Sequence, residues 1–225
     1  MGTRERQPLT PARIIEAAVR VADAGGYAAI SMRNVGKELG VEAMSLYHHV
    51  AGKDALLDAL ADWVFARIEP PAADAPWREG MRLRAASTRR VLVDHPWALT
   101  LIDSRTNPGP ALLAHHDSVI GCLRRGGFSI ALAAQAFSVI DAYVYGFALT
   151  ERNLPFDPTT GDQAVDFAAE VMPLLSGYPH LIELVQHLTG PGEYRFSDQF
   201  AEGLDIILDE LDKRLRAETG RSAAR

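Results

Sequence analysis

Apolar residues recur every three or four positions along almost the whole chain, and this repeat limits the fold more than any other feature. Such spacing places apolar side chains on one face of an α-helix. No stretch alternates apolar and polar residues in the manner of a half-buried strand. Prolines and glycines, which interrupt helices, separate the repeating segments. The sequence therefore predicts an all-α protein built from several packed helices.

Four helices are expected before the prolines at 70, 71 and 76, which form the one clear linker signal. Thr10 and Pro11 start the first helix, because a hydroxyl side chain caps a helix well and proline fits its first position. Gly25–Gly26 ends that helix. Beyond the linker, the pattern predicts helices near 77–94, 97–104, 110–126, 129–151, 162–175, 179–188 and 197–217.

The segment 31–50 predicts two short helices joined by a tight turn. Ser31 is a helix N-cap, Gly40 supplies the turn, and the second helix spans about 42–49. Gly36 lies where the helices would cross, so only a small side chain lets them approach. Two helices joined in this way form a helix-turn-helix, whose second helix enters the major groove of DNA. An ordinary helical hairpin without a DNA role would give the same bare pattern.

Residues 9–68 resemble the N-terminal domain of the tetracycline-repressor (TetR) family. The shared blocks, in order, are Ala24-Gly25-Gly26, Ser31-Met32-Arg33, Leu39-Gly40-Val41, Leu46-Tyr47-His48-His49 and Lys53-Asp54-Ala55-Leu56-Leu57. His95-Pro96-Trp97, Gly109-Pro110 and the long helix ending at Gly146 resemble the family's regulatory domain. The resemblance implies a three-helix DNA-binding domain at 8–68 with a connecting helix at 53–68, and a larger helical-bundle domain at 77–217 for effector binding and dimerisation. From the sequence pattern, residues 218–225 are expected to form a disordered tail.

The resemblance also implies which residues contact DNA. Arg33 matches a base- or phosphate-contacting position, and a guanidinium can bind guanine with two hydrogen bonds. The full set implied to bind DNA is Ser31, Arg33, Ala43, Met44, Ser45, Tyr47, His48, His49 and Lys53. An alternative stays open for each of two residues. Tyr47 could close the core of the domain, and Met44 could pack against neighbouring side chains instead of contacting a thymine methyl. Metal binding by His48 and His49 is not expected, because neighbours on a helix point about 100° apart.

The 77–217 region carries no common catalytic signature, so a regulator rather than an enzyme is expected, with no cofactor and no metal. His115-His116-Asp117 is interpreted as a solvated face or as pocket lining. An uncharged or weakly polar molecule of aromatic size is expected to bind among the helices of 77–175 and to lower DNA affinity. The predicted ligand-binding residues are Trp97, Thr100, Leu101, Asp103, His116, Phe137, Asp141, Tyr143 and Phe147. The same residues could instead form plain core.

A homodimer is expected, because the one helix per chain that enters the major groove covers only a few base pairs. The N-terminal DNA-binding domains of two chains, here called the heads, can together contact both halves of a near-palindromic operator. The helices near 129–151 and 197–217 are predicted to form a four-helix interface; the apolar stripe of the second helix could instead be buried within one chain. Net charge is −6, but residues 1–53 hold seven basic and five acidic residues. The mildly basic head suits DNA, while the acidic remainder suits a soluble body.

No membrane span is expected. The apolar stretch from Phe128 to Leu149 is interrupted by Gln135 and Asp141, which favours a helix buried in a soluble bundle. The N-terminus lacks the apolar segment of a signal peptide. The single cysteine, Cys122, excludes a disulfide within one chain and suits the reducing cytoplasm, which is the predicted location.

Overall fold

The computed structural model describes residues 8–104, 107–190 and 194–223, without the side chains of Asp103 and residues 221–223. These residues contain eleven α-helices and no β-strand, which confirms the all-α prediction. The helices are α1 (Pro11–Gly25), α2 (Met32–Leu39), α3 (Ala43–Leu46), α4 (Lys53–Phe65), α5 (Trp77–Asp94), α6 (Trp97–Ser104), α7 (Pro110–Arg125), α8 (Ile130–Arg152), α9 (Gly161–Val171), α10 (Pro179–Leu188) and α11 (Gln199–Ala223). Short 3₁₀ turns lie at Tyr27–Ala29, Met172–Leu175 and Phe196–Asp198.

Several predicted helices are shorter than expected because their last turns are not regular α-helix. The predicted helix at 162–175 changes to a 3₁₀ turn at Met172, where Pro173 cannot donate the helical hydrogen bond. After α4, the N–H groups of Arg67 and Ile68 bond to carbonyls three residues earlier. After α3, the N–H of His49 bonds to the carbonyl of Leu46 in the same way. These turns satisfy the backbone groups that a helix leaves open at its end.

Helix α11 extends into the segment 218–225, which was predicted to be a disordered tail. Helix α11 continues to Ala223, and residues 224–225 lie outside the described residues. Glu218 anchors this last part, because its carboxylate accepts hydrogen bonds from the Ser129 hydroxyl (2.9 Å) and the Ser129 N–H (3.4 Å). The sequence gives no local sign of this contact, which joins residues 89 positions apart.

The chain divides into two compact units, residues 1–128 and 129–225. Helices α5 to α7 pack into one unit with α1 to α4, and the predicted domain bounds at 8–68 and 77–217 stay a prediction. Helix α4 packs against α1 on one side and against α6 and α7 on the other. Leu56, Leu60 and Val64 of α4 are fully buried. Helix α4 is thus shared by the core of the head and the helices that follow it.

Two carboxylates connect the helices of the first unit. Asp62 on α4 accepts hydrogen bonds from the N–H groups of Ala111 (2.7 Å) and Leu112 (3.1 Å), in the first turn of α7. Asp23 on α1 accepts from the indole N–H of Trp97 on α6 at 2.6 Å. The Asp23 carboxylate also lies 2.7 Å from Nδ1 of His95. A carboxylate on α1 therefore joins that helix to α6, and a carboxylate on α4 joins that helix to α7.

In the second unit, α8 packs against α11. The apolar stripe that made α11 a candidate for the dimer interface is buried within one chain, which corrects that argument. Its buried members are Phe200, Leu204, Leu208, Leu211 and Leu215. Tyr143 of α8 fits against Gly203, where an added Cβ would lie 2.3 Å from the tyrosine hydroxyl oxygen. By length and composition alone α8 could also cross a membrane, but buried helices of soluble proteins have the same composition.

We expect Asp62→Ala to lower the free energy of unfolding by about 1 kcal/mol, the usual effect of removing a helix-capping side chain. Asp62→Asn should lose less, since its amide oxygen can still accept both N–H groups. Urea unfolding of the purified variants measures both values. Asp166→Ala, at an exposed position of α9, is the control and should change little. Equal stability of the Asp62→Ala variant and the control would contradict the capping role.

Candidate nucleic-acid interface

The segment 31–50 folds as the predicted helix-turn-helix. Ser31 caps α2, since its hydroxyl oxygen accepts from the Asn34 N–H at 3.2 Å. Gly40 ends α2 in the left-handed conformation, with a φ of 68°, which glycine adopts without strain. Helix α3 follows, with Leu46 fully buried beneath it. Ser31 and Gly40 therefore set where α2 begins and where it ends.

Gly36 sits at the crossing of α2 and α3, as the sequence predicts. A Cβ added there would lie 3.0 Å from the Val41 carbonyl oxygen and 3.2 Å from Cα of Ala43. Both neighbours are backbone atoms, which cannot move aside as a flexible side chain can. The close approach of α3 to α2 thus depends on the missing side chain.

The side chains predicted to contact DNA lie on the outer side of this motif. Met44 is 71% exposed and Tyr47 is 49% exposed, so neither is a core residue of the chain. Arg33, His48, His49 and Lys53 are also exposed, while Ser31, Ala43 and Ser45 are half-buried. The structure therefore leaves this face open for a partner, and the DNA contacts themselves stay a prediction.

A shallow groove between α2 and α3 contains residues that the sequence-based prediction missed. It is lined by Arg33, Asn34, Lys37, Val41, Glu42 and Ala43. Lys37 adds a second cation beside Arg33, and its position one turn after Arg33 could have indicated this. Glu42 adds a carboxylate at the start of α3. The charge at this face is therefore mixed, and the two cations lie on α2.

Polar contacts fix α2 in the head. Nε of Arg20 on α1 lies 2.6 Å from the Glu38 carboxylate on α2. The Asn34 side chain donates to the Ala29 carbonyl at 2.8 Å, just before the motif. Both pairs are exposed, so each contributes modestly to stability. Their effect is to hold the orientation of α2 relative to α1.

Five of the predicted ligand-binding residues belong to the first unit. Trp97 and Leu101 are buried, and the Trp97 indole is used by Asp23. Thr100 is exposed, and the side chain of Asp103 lies outside the described residues. The His116 ring lies 5.8 Å from the Phe65 ring of α4. Trp97 thus has a structural contact, and the ligand role of all five residues stays a prediction.

The other four predicted ligand-binding residues belong to α8 in the second unit. Tyr143 donates its hydroxyl hydrogen to the Phe200 carbonyl at 2.9 Å and stacks on the Phe200 ring. The Phe147 ring stacks on Phe196 at 4.6 Å between centroids. Phe137 is half-buried and Asp141 is buried. Tyr143 and Phe147 therefore help to join α8 to α11, whatever else they contact.

The adjacent histidines are not grouped with other metal-binding side chains. Across the described ranges, no cluster of three or more His, Cys, Asp or Glu residues is arranged to hold a metal ion. His115 and His116 differ from each other: His115 is 4% exposed, whereas His116 is half-buried. The sequence analysis predicted a ligand-binding role only for His116, because adjacent histidines give no sign of which one is buried.

Comparison with protein families gives two matches that together span most of the chain. The model described as "Bacterial regulatory proteins, tetR family" matches residues 14–60. The model described as "Tetracyclin repressor-like, C-terminal domain" matches residues 69–215, which is more than half of the chain. The first match covers the helix-turn-helix, and the second covers α5 to α10 and most of α11.

Individual proteins agree with these matches. The chain is 35% identical over 224 residues to the HTH-type transcriptional repressor DrrR1 of Streptomyces coeruleorubidus, covering 96% of this chain and 82% of that protein. It superposes on apo ActR of Streptomyces coelicolor with a TM-score of 0.75 and 28% identity, over 94% and 98% of the two chains. It also superposes on ActR in complex with actinorhodin, with a TM-score of 0.75, 29% identity and coverages of 91% and 96%.

We expect Gly36→Ala to force α3 away from α2, because its Cβ meets backbone on two sides. Such overpacking costs roughly 1–3 kcal/mol of stability. Thermal unfolding followed by circular dichroism measures the loss. Gly220→Ala is the matched control: nothing lies within 4 Å of its Cβ, and alanine favours a helix over glycine. A Gly36→Ala variant as stable as the control would show that the crossing does not need glycine.

Proposed function

The chain belongs to the tetR family of bacterial regulatory proteins, and from that premise we propose that it represses transcription as a homodimer bound to a near-palindromic operator. A small, largely apolar molecule binds the C-terminal region and lowers the affinity for DNA. The protein acts in the cytoplasm. One observation carries the DNA-binding part of the proposal: Met44 on α3 and Tyr47 directly after it are exposed, while Leu46 fixes α3 to the core.

Two classes of DNA contact are proposed for the residues of this face. Ala43, Met44 and Ser45 on α3, His48 in the turn after it, and Arg33 on α2 are proposed to contact base edges in the major groove. Ser31, Tyr47, His49 and Lys53 are proposed to contact phosphates, which position the protein without selecting a sequence. Lys53 begins α4, so a phosphate contact there ties the DNA to the helix that packs against α6 and α7.

Ligand binding is proposed from relatives as well as from chemistry. ActR has been solved in complex with actinorhodin and with (S)-DNPA, and it shares 28–29% identity with this chain. The aromatic and apolar residues of the C-terminal region suit an apolar ligand that is about as large as an aromatic ring system. A repressor that binds such a molecule gains control only if the ligand prefers the state that does not bind DNA.

Helix α4 is the proposed path between ligand and DNA. Lys53 lies at its first residue and Asp62 lies nine residues later, a separation of about 14 Å along the helix. Because Asp62 holds the first turn of α7, a shift of α7 moves α4 and with it the phosphate contact. Tenfold release requires about 1.4 kcal/mol of coupling, and the operator must weaken ligand binding by the same factor.

A gel shift with DNA flanking the chain's own gene tests the proposed function. We expect a specific complex that survives an excess of unrelated duplex, because base contacts add to the phosphate contacts. The purified full chain is used, with the concentration of salt held constant. If unrelated DNA displaced the flanking DNA equally well, the proposed role as an operator-specific repressor would be wrong.

Single substitutions should separate the two classes of DNA contact. Lys53→Ala should weaken binding to all sequences and reduce the slope of log affinity against log salt by about one unit. Arg33→Ala should cost about 1–3 kcal/mol on the preferred duplex and relax the choice of base at one position. Fluorescence anisotropy with a panel of single-base-pair variants measures both effects.

Lys213→Ala, at an exposed position of α11, is the charge-matched control for these measurements. It should leave both the affinity and the salt slope unchanged. Loss of affinity without loss of base preference in Arg33→Ala would make Arg33 a phosphate contact. No effect of Arg33→Ala on either quantity would remove it from the interface.

The exposed face of α8 is the proposed main surface for dimerisation, joined by α11. That face carries small or apolar residues at helical spacing: Ala131, Ala134, Ser138, Ala142, Gly146 and Leu149. Leu149 is 41% exposed, and nothing lies within 4 Å of a Cβ added to Gly146. Small residues permit close approach of two helices, and an exposed apolar helix face is typical of an interface. On α11, Ile206 is 72% exposed and is proposed to join this surface.

We expect Ala142→Arg to convert the protein to a monomer without loss of helix content, because a buried guanidinium without a partner opposes close packing. The DNA affinity should fall at least tenfold, since one head contacts only half of the operator. Light scattering at micromolar concentration measures the mass. Ala114→Arg, at an exposed position of α7, is the control and should stay dimeric. A dimeric Ala142→Arg variant would place the interface elsewhere.

A further inference from the structure

His115 is a buried polar side chain that the DNA-binding face does not use. It lies on α7 and is 4% exposed. The Phe65 ring of α4, which is also 4% exposed, packs against it with 5.6 Å between ring centroids. The imidazole is thus shielded from solvent, and it contacts the helix that begins with Lys53.

Arg84 determines which nitrogen of His115 carries the proton. Nε of Arg84, on α5, donates a hydrogen bond to Nε2 of His115 at 3.2 Å. Burial, followed by the positive charge of Arg84 and by His116, lowers the pKa of His115 to about 3. The ring is therefore neutral at physiological pH. Since Nε2 accepts a hydrogen bond, the single proton of the neutral ring lies on Nδ1.

Nδ1 of His115 has no hydrogen-bond partner within the described ranges, and it is shielded from solvent. Nearly all buried donors in folded proteins are paired, because an unpaired one loses its bond to water without replacement. Arg84 fixes the ring so that Nδ1 cannot exchange roles with Nε2. An acceptor from outside the chain would therefore complete this arrangement.

We propose that Nδ1–H of His115 is the donor that binds the effector, and that the effector is a largely apolar, aromatic-sized molecule with a hydrogen-bond-accepting oxygen. This inference rests on the proposed ligand response and specifies the chemistry of the ligand. Phe65 provides an aromatic contact beside the donor, and Arg84 positions the donor through its hydrogen bond to Nε2. Because Phe65 lies on α4, a molecule bound here would contact the helix that carries the proposed phosphate contact.

Two probes of the same size test the proposal: 6-propionyl-2-(dimethylamino)naphthalene, which has a ketone oxygen, and its 6-propyl analogue, which lacks it. We expect the full-length protein to bind the ketone at one saturable site per chain and at least about tenfold more tightly than the analogue, as sites built around a hydrogen bond do. When its oxygen accepts the Nδ1 hydrogen, the bound ketone should also emit at longer wavelength than it does when bound to a variant without that donor. Fluorescence titration measures the affinity and the emission together.

Variants of His115 identify the donor. His115→Phe keeps an aromatic ring without a donor, so the preference for the ketone should disappear and its emission should move to shorter wavelength. His115→Asn should restore part of the preference, because its amide N–H can occupy the position of Nδ1. His180→Phe is the control at an exposed histidine of α10 and should match the wild type. Circular dichroism checks that each variant is folded.

Three results would overturn the proposal. The first is equal binding of the two probes to the wild type, as expected if a buried water alone satisfies Nδ1. The second is an unchanged preference for the ketone in His115→Phe. The third is the absence of any saturable site. None of these results depends on DNA, so the gel shift decides separately whether the protein is a repressor.

Discussion

The hydrogen bonds from the first turn of α7 to Asp62 of α4 hold the helix-turn-helix domain to the helices that follow it in the first unit. The first N–H groups of a helix have no partner within it, and a carboxylate satisfies them while opposing the positive end of the helix dipole. The carboxylate can reach because Gly109 has no side chain: a Cβ there would lie 2.3 Å from Oδ1 of Asp62. The DNA-binding head therefore cannot reorient without disturbing α7.

A second carboxylate joins α1 to α6. Asp23 accepts a hydrogen bond from the Trp97 indole N–H and lies beside His95. With α1 and α4 both held, the head and α5 to α7 form one compact unit. The His115 ring on α7 packs directly against the Phe65 ring of α4. The distance from the proposed effector contact to the proposed phosphate contact is thus covered by packed side chains and a single rigid helix.

Local signals in the sequence predicted the parts of the molecule that depend on neighbouring residues. The caps at Thr10 and Ser31, the turn at Gly40 and the crossing at Gly36 were all predictable, since each follows from a residue and its near neighbours. Contacts between distant residues were not predictable. They decide that the α11 stripe is buried within one chain, that the first unit ends at Phe128, and that Glu218 holds the end of α11 in place.

Selection of duplexes from a random pool by the purified protein, followed by sequencing, tests whether the protein reads a two-fold operator. A dimer with one reading helix per chain should enrich an inverted repeat whose half-site centres are separated by about one helical turn of DNA or a multiple of it. Enrichment of a single unrepeated site, or no enrichment over the starting pool, would contradict the central claim that two identical heads read a two-fold operator.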